Sequence, residues 1–123
     1  MTDPLIRQTL ADALEKIVGS TVSSVTFVAD YVQFSFNGPG LTAYTHPTVC
    51  LSAHTYSWGQ VGYRDALCDL IGSRIDRTTV GKQAVSVTFE NGATVSISLR
   101  DEDYCGPEAL LFALDTKDRI WVV

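Results

Sequence analysis

Two histidines and a cysteine, His46, Cys50 and His54, stand four residues apart in the sequence. Imidazole and thiolate groups are zinc ligands, and on a strand this spacing puts all three side chains on one face. Four strand residues span about 13 Å, however, which is too far for three ligands on one straight strand to reach the same ion. A helix would fit better, but Pro47 and its β-branched neighbours argue against one. We therefore predict a half-buried strand, with no metal and no cofactor.

Cys105 is the best candidate for a nucleophile, because its surroundings have the composition of a loop. Nucleophilic catalysis requires a thiolate with a base beside it. His46 or His54 could approach in space, but the acidic neighbours of Cys105 disfavour the thiolate, which is the reactive form. The motifs of serine hydrolases, zinc proteases and phosphate-binding loops are missing from the sequence. We therefore predict no catalytic residues.

An acidic segment with one tyrosine follows residue 100, and its candidate partner-binding residues are Asp101, Glu102, Asp103, Tyr104 and Glu108. The carboxylates can pair with basic groups of a partner, and Tyr104 can supply an aromatic anchor. Tyr56 and Trp58 are candidates for a second anchor, although Trp58 could equally close the core. The alternative for the acidic run is a solvated loop whose charge keeps the domain soluble.

The formal charge of the 123 residues is −5, and it is unevenly distributed. Residues 1–100 contain eight acidic and seven basic residues, giving −1, whereas residues 101–123 contain six and two, giving −4. Such a field repels phosphate backbones and favours a basic protein partner, so we expect no nucleic-acid binding.

Other global features narrow the class of protein. No apolar run approaches the roughly 18 residues of a membrane span, and the first residues lack the pattern of an export signal, so we expect a cytoplasmic protein without membrane contact. The three cysteines form no C-x-x-C motif, which predicts buried free thiols rather than a disulfide framework.

The chain contains an internal repeat. A shift of 53 positions aligns residues 12–36 with residues 65–89 and gives eight identities in 25 positions, including Gly19-Ser20 opposite Gly72-Ser73. After the second strand of each unit the two copies diverge. The repeat predicts two tandem, pseudo-symmetric units.

Each unit has the pattern of a helix followed by antiparallel strands. Asp3 and Pro4 can begin the first helix, and Gly19 and Gly72 stand where left-handed caps would end the two helices. Alternating apolar residues predict strands with one buried face, as in an antiparallel sheet covered by helices on one side. Asn91-Gly92 predicts a hairpin.

The predicted class is α+β, with the two helix-plus-strand units forming one sheet-and-helix domain over residues 1–123. Unit one covers about 3–45, an insert about 46–62, and unit two about 63–100. The insert contains a strand near Val49–Ala53 and an aromatic loop. Residues 101–123 form the acidic loop and a closing hairpin that turns at 115–118, unless a short helix begins at Pro107.

The repeated Gly-Ser openings and the segment Asp103–Ala109 before a final apolar hairpin resemble small uncharacterised bacterial proteins of this length. Such small, acidic proteins are similar in character to immunity proteins that neutralise toxins of contact-dependent growth inhibition systems. The resemblance implies a non-enzymatic protein that binds a basic, nuclease-type toxin domain. Nuclease toxins need cationic sites for phosphate, so an acidic inhibitor can both steer to such a site and occupy it.

Two alternatives remain from the sequence. One is a small-ligand binder or minor enzyme with a pocket between the two units, where Trp58, His54 and Cys105 would lie. The other is an architectural protein that associates with itself through a sheet edge, because the oligomeric state is not set by the sequence.

Overall fold

The computed structural model describes residues 3–114 and 119–123. Helix α1 covers Pro4–Leu14 and continues as a short 3-10 turn, and helix α2 covers Tyr63–Cys68. The described strands are β1 (Ser24–Val28), β2 (Tyr31–Ser35), β3 (Gly40–Ala43), β4 (Thr48–Leu51), β5 (His54–Tyr56), β6 (Ile75–Val80), β7 (Ala84–Phe89), β8 (Thr94–Ser98), β9 (Leu110–Ala113) and β10 (Ile120–Val122).

These strands form two antiparallel five-stranded sheets, in the orders β1-β2-β3-β9-β10 and β5-β4-β8-β7-β6. The α+β class is therefore confirmed, but the layering differs from a single sheet with helices on one face. Apolar side chains of both sheets, such as Phe34 and Val87, line the same small void of about 10 Å³. The apolar faces of the sheets thus pack on each other, because helices of eleven and six residues are too short to cover ten strands.

Each helix closes one side of this sandwich instead. Helix α1 contacts the edge strand β6 of one sheet, and its Thr9 accepts a hydrogen bond from Trp121 Nε1 in the edge strand β10 of the other sheet (3.2 Å). Helix α2 contacts β1 and β4, and Arg64 of α2 lies 5.7 Å above the Phe27 ring of β1. As predicted, Asp3 caps α1 through the Leu5 amide (2.8 Å).

The repeat extends further than its eight identities indicate. The hairpin β4–β5, which follows unit one, adds to the sheet of unit two beside β8, and the hairpin β9–β10, which follows unit two, adds to the sheet of unit one beside β3. Residues 46–62 and 101–123 therefore provide equivalent, exchanged hairpins. The closing hairpin is confirmed as strands β9 and β10 and no helix begins at Pro107, while its predicted turn at 115–118 lies outside the described residues.

The two units are also joined at a pseudo-twofold axis. The segment after α1, residues 19–22, pairs with the corresponding segment after α2. The Gly19 amide donates to the Ile75 carbonyl, and the equivalent Gly72 amide donates to the Val22 carbonyl, both at 2.8 Å. Because φ is +89° at both glycines, each unit needs a residue without a Cβ at the same point.

Candidate functional site

Two chain crossovers lie side by side at the end of the sandwich opposite the β2–β3 and β7–β8 turns. Residues 44–47 carry the chain from β3 to β4, and residues 99–109 carry it from β8 to β9. The Thr45 hydroxyl donates to the Ser98 carbonyl (2.9 Å), and the Thr45 amide donates to the Ala109 carbonyl (3.0 Å). These equivalent connections have four and eleven residues, so the acidic loop is an addition to one unit only.

The acidic loop is held in a defined conformation. Asp101–Asp103 form a 3-10 turn, and the Ser98 hydroxyl donates to Asp103 Oδ2 (2.6 Å) while accepting from the Arg100 amide (3.1 Å). Arg100 also forms an ion pair with Glu102. Hydrogen bonds from its own amide and from Arg100 hold the pKa of the Glu102 carboxyl below its usual range. The loop therefore presents its carboxylates on a fixed backbone.

A groove of about 250 Å³, which we term the tyrosine groove, runs along one side of this loop. Its walls are Asp30, Tyr31, Tyr44, Cys105, Gly106, Pro107 and Glu108. The two tyrosine rings lie 5.3 Å apart between centroids. Burial, and then the nearby Glu108 carboxylate and Tyr31, raise the pKa of Tyr44. This groove combines aromatic faces with two carboxylates, which is a suitable surrounding for a basic side chain.

An aromatic stack connects this surface to the start of α2. The His46 and Trp58 rings are nearly parallel, 7° apart in plane and 3.9 Å apart between centroids. His46 Nε2 lies 3.0 Å from the Asp30 carbonyl oxygen, so Nε2 carries the proton in this arrangement. Trp58 remains 38% exposed. Trp58 is therefore only partly buried, and its exposed part is available for contact with another molecule.

His46 and Asp103 line a second groove, of about 400 Å³, together with hydroxyls of β8. Trp58, through its stack on His46, therefore belongs to the same end of the molecule as the acidic loop. Tyr104 is half-buried and packs against the core. Tyr56 also packs against the core. Its ring contacts Gly62 and lies 4.3 Å from the His54 ring, so Tyr56 is a packing residue beneath this surface.

Basic side chains lie on one side of the acidic loop. A third groove, of about 560 Å³, which we term the arginine groove, brings Arg7 and Lys82 beside Arg100, Asp101 and Glu102. The cations partly offset the acidic loop on this side. Arg100 also lines the groove that holds Asp103, whereas the residues that line the tyrosine groove include two carboxylates and no lysine or arginine.

The three residues of the possible metal site are separated by the fold. His46 lies in the short crossover and Cys50 in β4, and the chain then reverses at Ser52-Ala53, so that His54 begins β5. The strand expected near Val49–Ala53 thus ends two residues earlier. In the described part of the chain, no group of three or more His, Cys, Asp or Glu side chains could hold a metal ion.

The residues suggested for a ligand pocket between the units are also apart. Trp58 lines a groove at the start of α2 and Cys105 lines the tyrosine groove, whereas His54 lies against Tyr56 in β5. The void between the sheets, about 10 Å³, is far below the roughly 300 Å³ of a small ligand site. All three cysteines are free, and Cys68 and Cys105 are exposed rather than buried.

Sequence reasoning missed Asp30, Tyr31 and Tyr44 as part of this surface. They lie in or beside the β1–β2 turn and the short crossover, some 60 to 80 residues before Glu108 in the numbering. Only the exchange of hairpins between the sheets brings them to the acidic loop, and no local pattern encodes that exchange.

No protein family model, no curated protein and no solved structure matches this chain. Neither described helix is long and apolar enough to cross a membrane.

Proposed function

We propose that this chain is a non-enzymatic binding protein that docks a basic protein partner on its long crossover. The most specific form of the proposal is a cytoplasmic immunity protein that blocks a basic, nuclease-type toxin domain. The observation that carries the docking proposal is the break in symmetry. The two crossovers are otherwise equivalent, but one is seven residues longer (eleven against four) and contains the acidic residues. Loops added to a rigid scaffold are where binding residues concentrate.

The tyrosine groove is the proposed contact for one lysine or arginine of the partner. Glu108 and Asp30 would pair with its charge, and the rings of Tyr31 and Tyr44 would contact its aliphatic stem or its cationic face. The groove is small, at about 250 Å³, which suits one long side chain rather than a whole segment.

Asp103 and Trp58 extend the contact away from this groove. Asp103 is exposed and already oriented by Ser98, so little conformational entropy is lost when it forms an ion pair. Trp58 is a rigid aromatic side chain whose orientation the His46 stack defines, and such residues are typical energetic centres of interfaces. Glu102 contributes less, because Arg100 already pairs with it.

The immunity role rests on the complementarity between this surface and a toxin that binds phosphate. A cationic nuclease site and a preorganised carboxylate surface attract each other over distances of about a Debye length, and the bound inhibitor covers the site. The long crossover would therefore both accelerate encounter and occupy the catalytic cleft of the partner.

Affinity capture from lysate of the source organism, followed by mass spectrometry, tests the proposal. The bait is compared with a variant that neutralises the proposed contact isosterically, Asp30→Asn, Asp103→Asn and Glu108→Gln. We expect the natural chain to retain a stoichiometric basic protein that high salt releases, and the variant to lose it. The immunity role additionally requires that the captured protein be toxic when expressed without this chain.

A matched control excludes a general effect of charge. The variant Glu15→Gln, Asp76→Asn, Glu90→Gln changes the net charge equally, at exposed positions away from the crossovers. Capture of the same basic protein by both variants, or by neither, would contradict a docking surface on the long crossover.

A further inference from the structure

The arginine groove gathers cations in a chain that is acidic overall. Three of the nine lysines and arginines line it, and they come from separate parts of the fold: Arg7 from α1, Lys82 from the β6–β7 turn and Arg100 from the beginning of the long crossover. The groove has a volume of about 560 Å³ and is the largest of the grooves described above. Like charges placed together repel, so their convergence requires compensation.

Arg7 is the uncompensated member of this group. Its Nε atom is buried and has no hydrogen-bond partner, and among the described residues its guanidinium forms no ion pair. Arg100 differs, because Glu102 satisfies it. A guanidinium that is partly removed from water without a partner is costly, since burial strips hydration that nothing replaces.

We infer that the arginine groove binds a compact oxyanion, namely the phosphate or carboxylate group of a small molecule. The anion lies between Arg7 and Lys82, accepts hydrogen bonds from the terminal nitrogens of Arg7, and can accept a further one from the Gln83 amide. The inference rests on Arg7 and Lys82, which take no part in the proposed docking function, although Gln83 and Arg100 line both the arginine groove and the groove of Asp103.

The carboxylates in the same groove limit the number of negative charges that the ligand can carry. Asp101 and Glu102 form part of the wall, with Glu102 engaged by Arg100. Three cations and two carboxylates give the lining of the groove a net charge of +1. This charge can be neutralised by one anionic group, whereas the two carboxylates would repel the further charges of an extended polyanion. A single phosphate or carboxylate therefore fits better than a nucleic-acid backbone.

Inorganic phosphate and acetate, titrated without any protein partner, test the site. Thermal unfolding is followed at pH 7 with sodium chloride adjusted to keep ionic strength constant. At an anion concentration of about ten times the Kd, we expect the Tm to rise by about 5 °C with at least one of the two anions. In ¹⁵N spectra the Arg7 Nε–Hε signal should shift with the same midpoint.

Three variants assign the effect to the groove. Arg7→Gln and Lys82→Gln should each weaken the anion at least tenfold, whereas Arg77→Gln, an exposed arginine of β6 outside the groove, should leave the midpoint unchanged. If Arg7→Gln destabilises the fold, the exposed Lys82 and the Arg7 signal of the natural chain still decide the outcome.

The absence of a saturable response to both anions up to 50 mM, or an equal response in Lys82→Gln and Arg77→Gln, would overturn the inference. Because no partner protein takes part, this result would leave the docking proposal untouched. Conversely, loss of partner capture by the Asp30→Asn, Asp103→Asn, Glu108→Gln variant would not test anion binding in the arginine groove.

Discussion

The two glycines at the pseudo-twofold axis provide a sharp test of the structure, because the symmetry requires them to respond alike. Gly19 and Gly72 both have φ near +89°, and a Cβ added to either would meet no other atom within 4 Å. Replacement by alanine therefore introduces backbone strain without a steric clash. The change isolates one physical effect at two equivalent positions.

The expected magnitude follows from two opposing terms. A residue with a Cβ in the left-handed region costs about 1–2 kcal/mol, while alanine stabilises by about 0.4–1 kcal/mol because it restricts the unfolded chain. The net loss for Gly19→Ala, and equally for Gly72→Ala, should be about 1 kcal/mol. Gly81→Ala is the matched control. Its φ is not in the left-handed region and its added Cβ would lie 3.5 Å from the Ala84 carbonyl oxygen, an ordinary contact, so its stability should stay equal or rise.

Urea unfolding with linear extrapolation measures these differences. The free energies of unfolding of the two axis variants should agree within about 0.5 kcal/mol, the margin within which independent sites behave additively. A loss at Gly81 as large as at Gly19 would refute the assignment of the loss to left-handed backbone strain, and a loss at Gly19 with none at Gly72 would refute the equivalence of the two positions.

Three further predictions concern the turn, the buried phenol and the exchanged hairpins. Ala53 has φ +67°, so Ala53→Gly should stabilise by about 0.5–1 kcal/mol in the same urea assay, and a loss would contradict the left-handed turn. Tyr63 donates to the Pro47 carbonyl (2.5 Å), so Tyr63→Phe should cost about 1–3 kcal/mol at pH 7. Burial raises the pKa of Tyr63, so the unfolded phenol ionises first and stability falls above pH about 10; Tyr63→Phe should lessen this fall, and an unchanged alkaline profile would refute the assignment. Cleavage at a protease site introduced in the loop 57–62 should leave the two fragments associated in native buffer, because hairpins and helices of each unit contact the other; separation on size-exclusion chromatography would contradict the exchange.

The parts of the fold that depend on local chemistry were predictable. The Asp3–Pro4 start of α1 and the alternation of Val32, Phe34 and Phe36 are encoded by capping and by the two-residue period of a strand, and the structure has both. The repeat likewise predicted two similar units, since similar sequences in one chain adopt similar structures.

The parts that depend on chain pairing could not be predicted. The β4–β5 turn uses Ser52 and Ala53, both with positive φ, whereas the usual sequence signal of such a hairpin is Asn-Gly. The predicted strand therefore ends two residues later than β4. Tertiary contacts decide whether a hairpin pairs with the sheet of its own unit or with the other sheet. The alternation of apolar and polar residues along a strand does not predict which of the two it joins. The candidate surface depends on that choice, because the pairing of β9 with β3 places Glu108 beside Tyr31 and Tyr44.

The central claim, that the long crossover docks a basic partner, is tested most directly by the association rate of the captured partner as a function of ionic strength. For the natural chain the rate constant should fall steeply between 50 and 500 mM salt, since electrostatic steering accelerates association by about 10- to 1,000-fold. The Asp103→Asn, Glu108→Gln variant should associate more slowly at low salt and show a flatter dependence, while Asp76→Asn, Glu90→Gln should follow the natural chain. Equal slopes for both variants would contradict the claim.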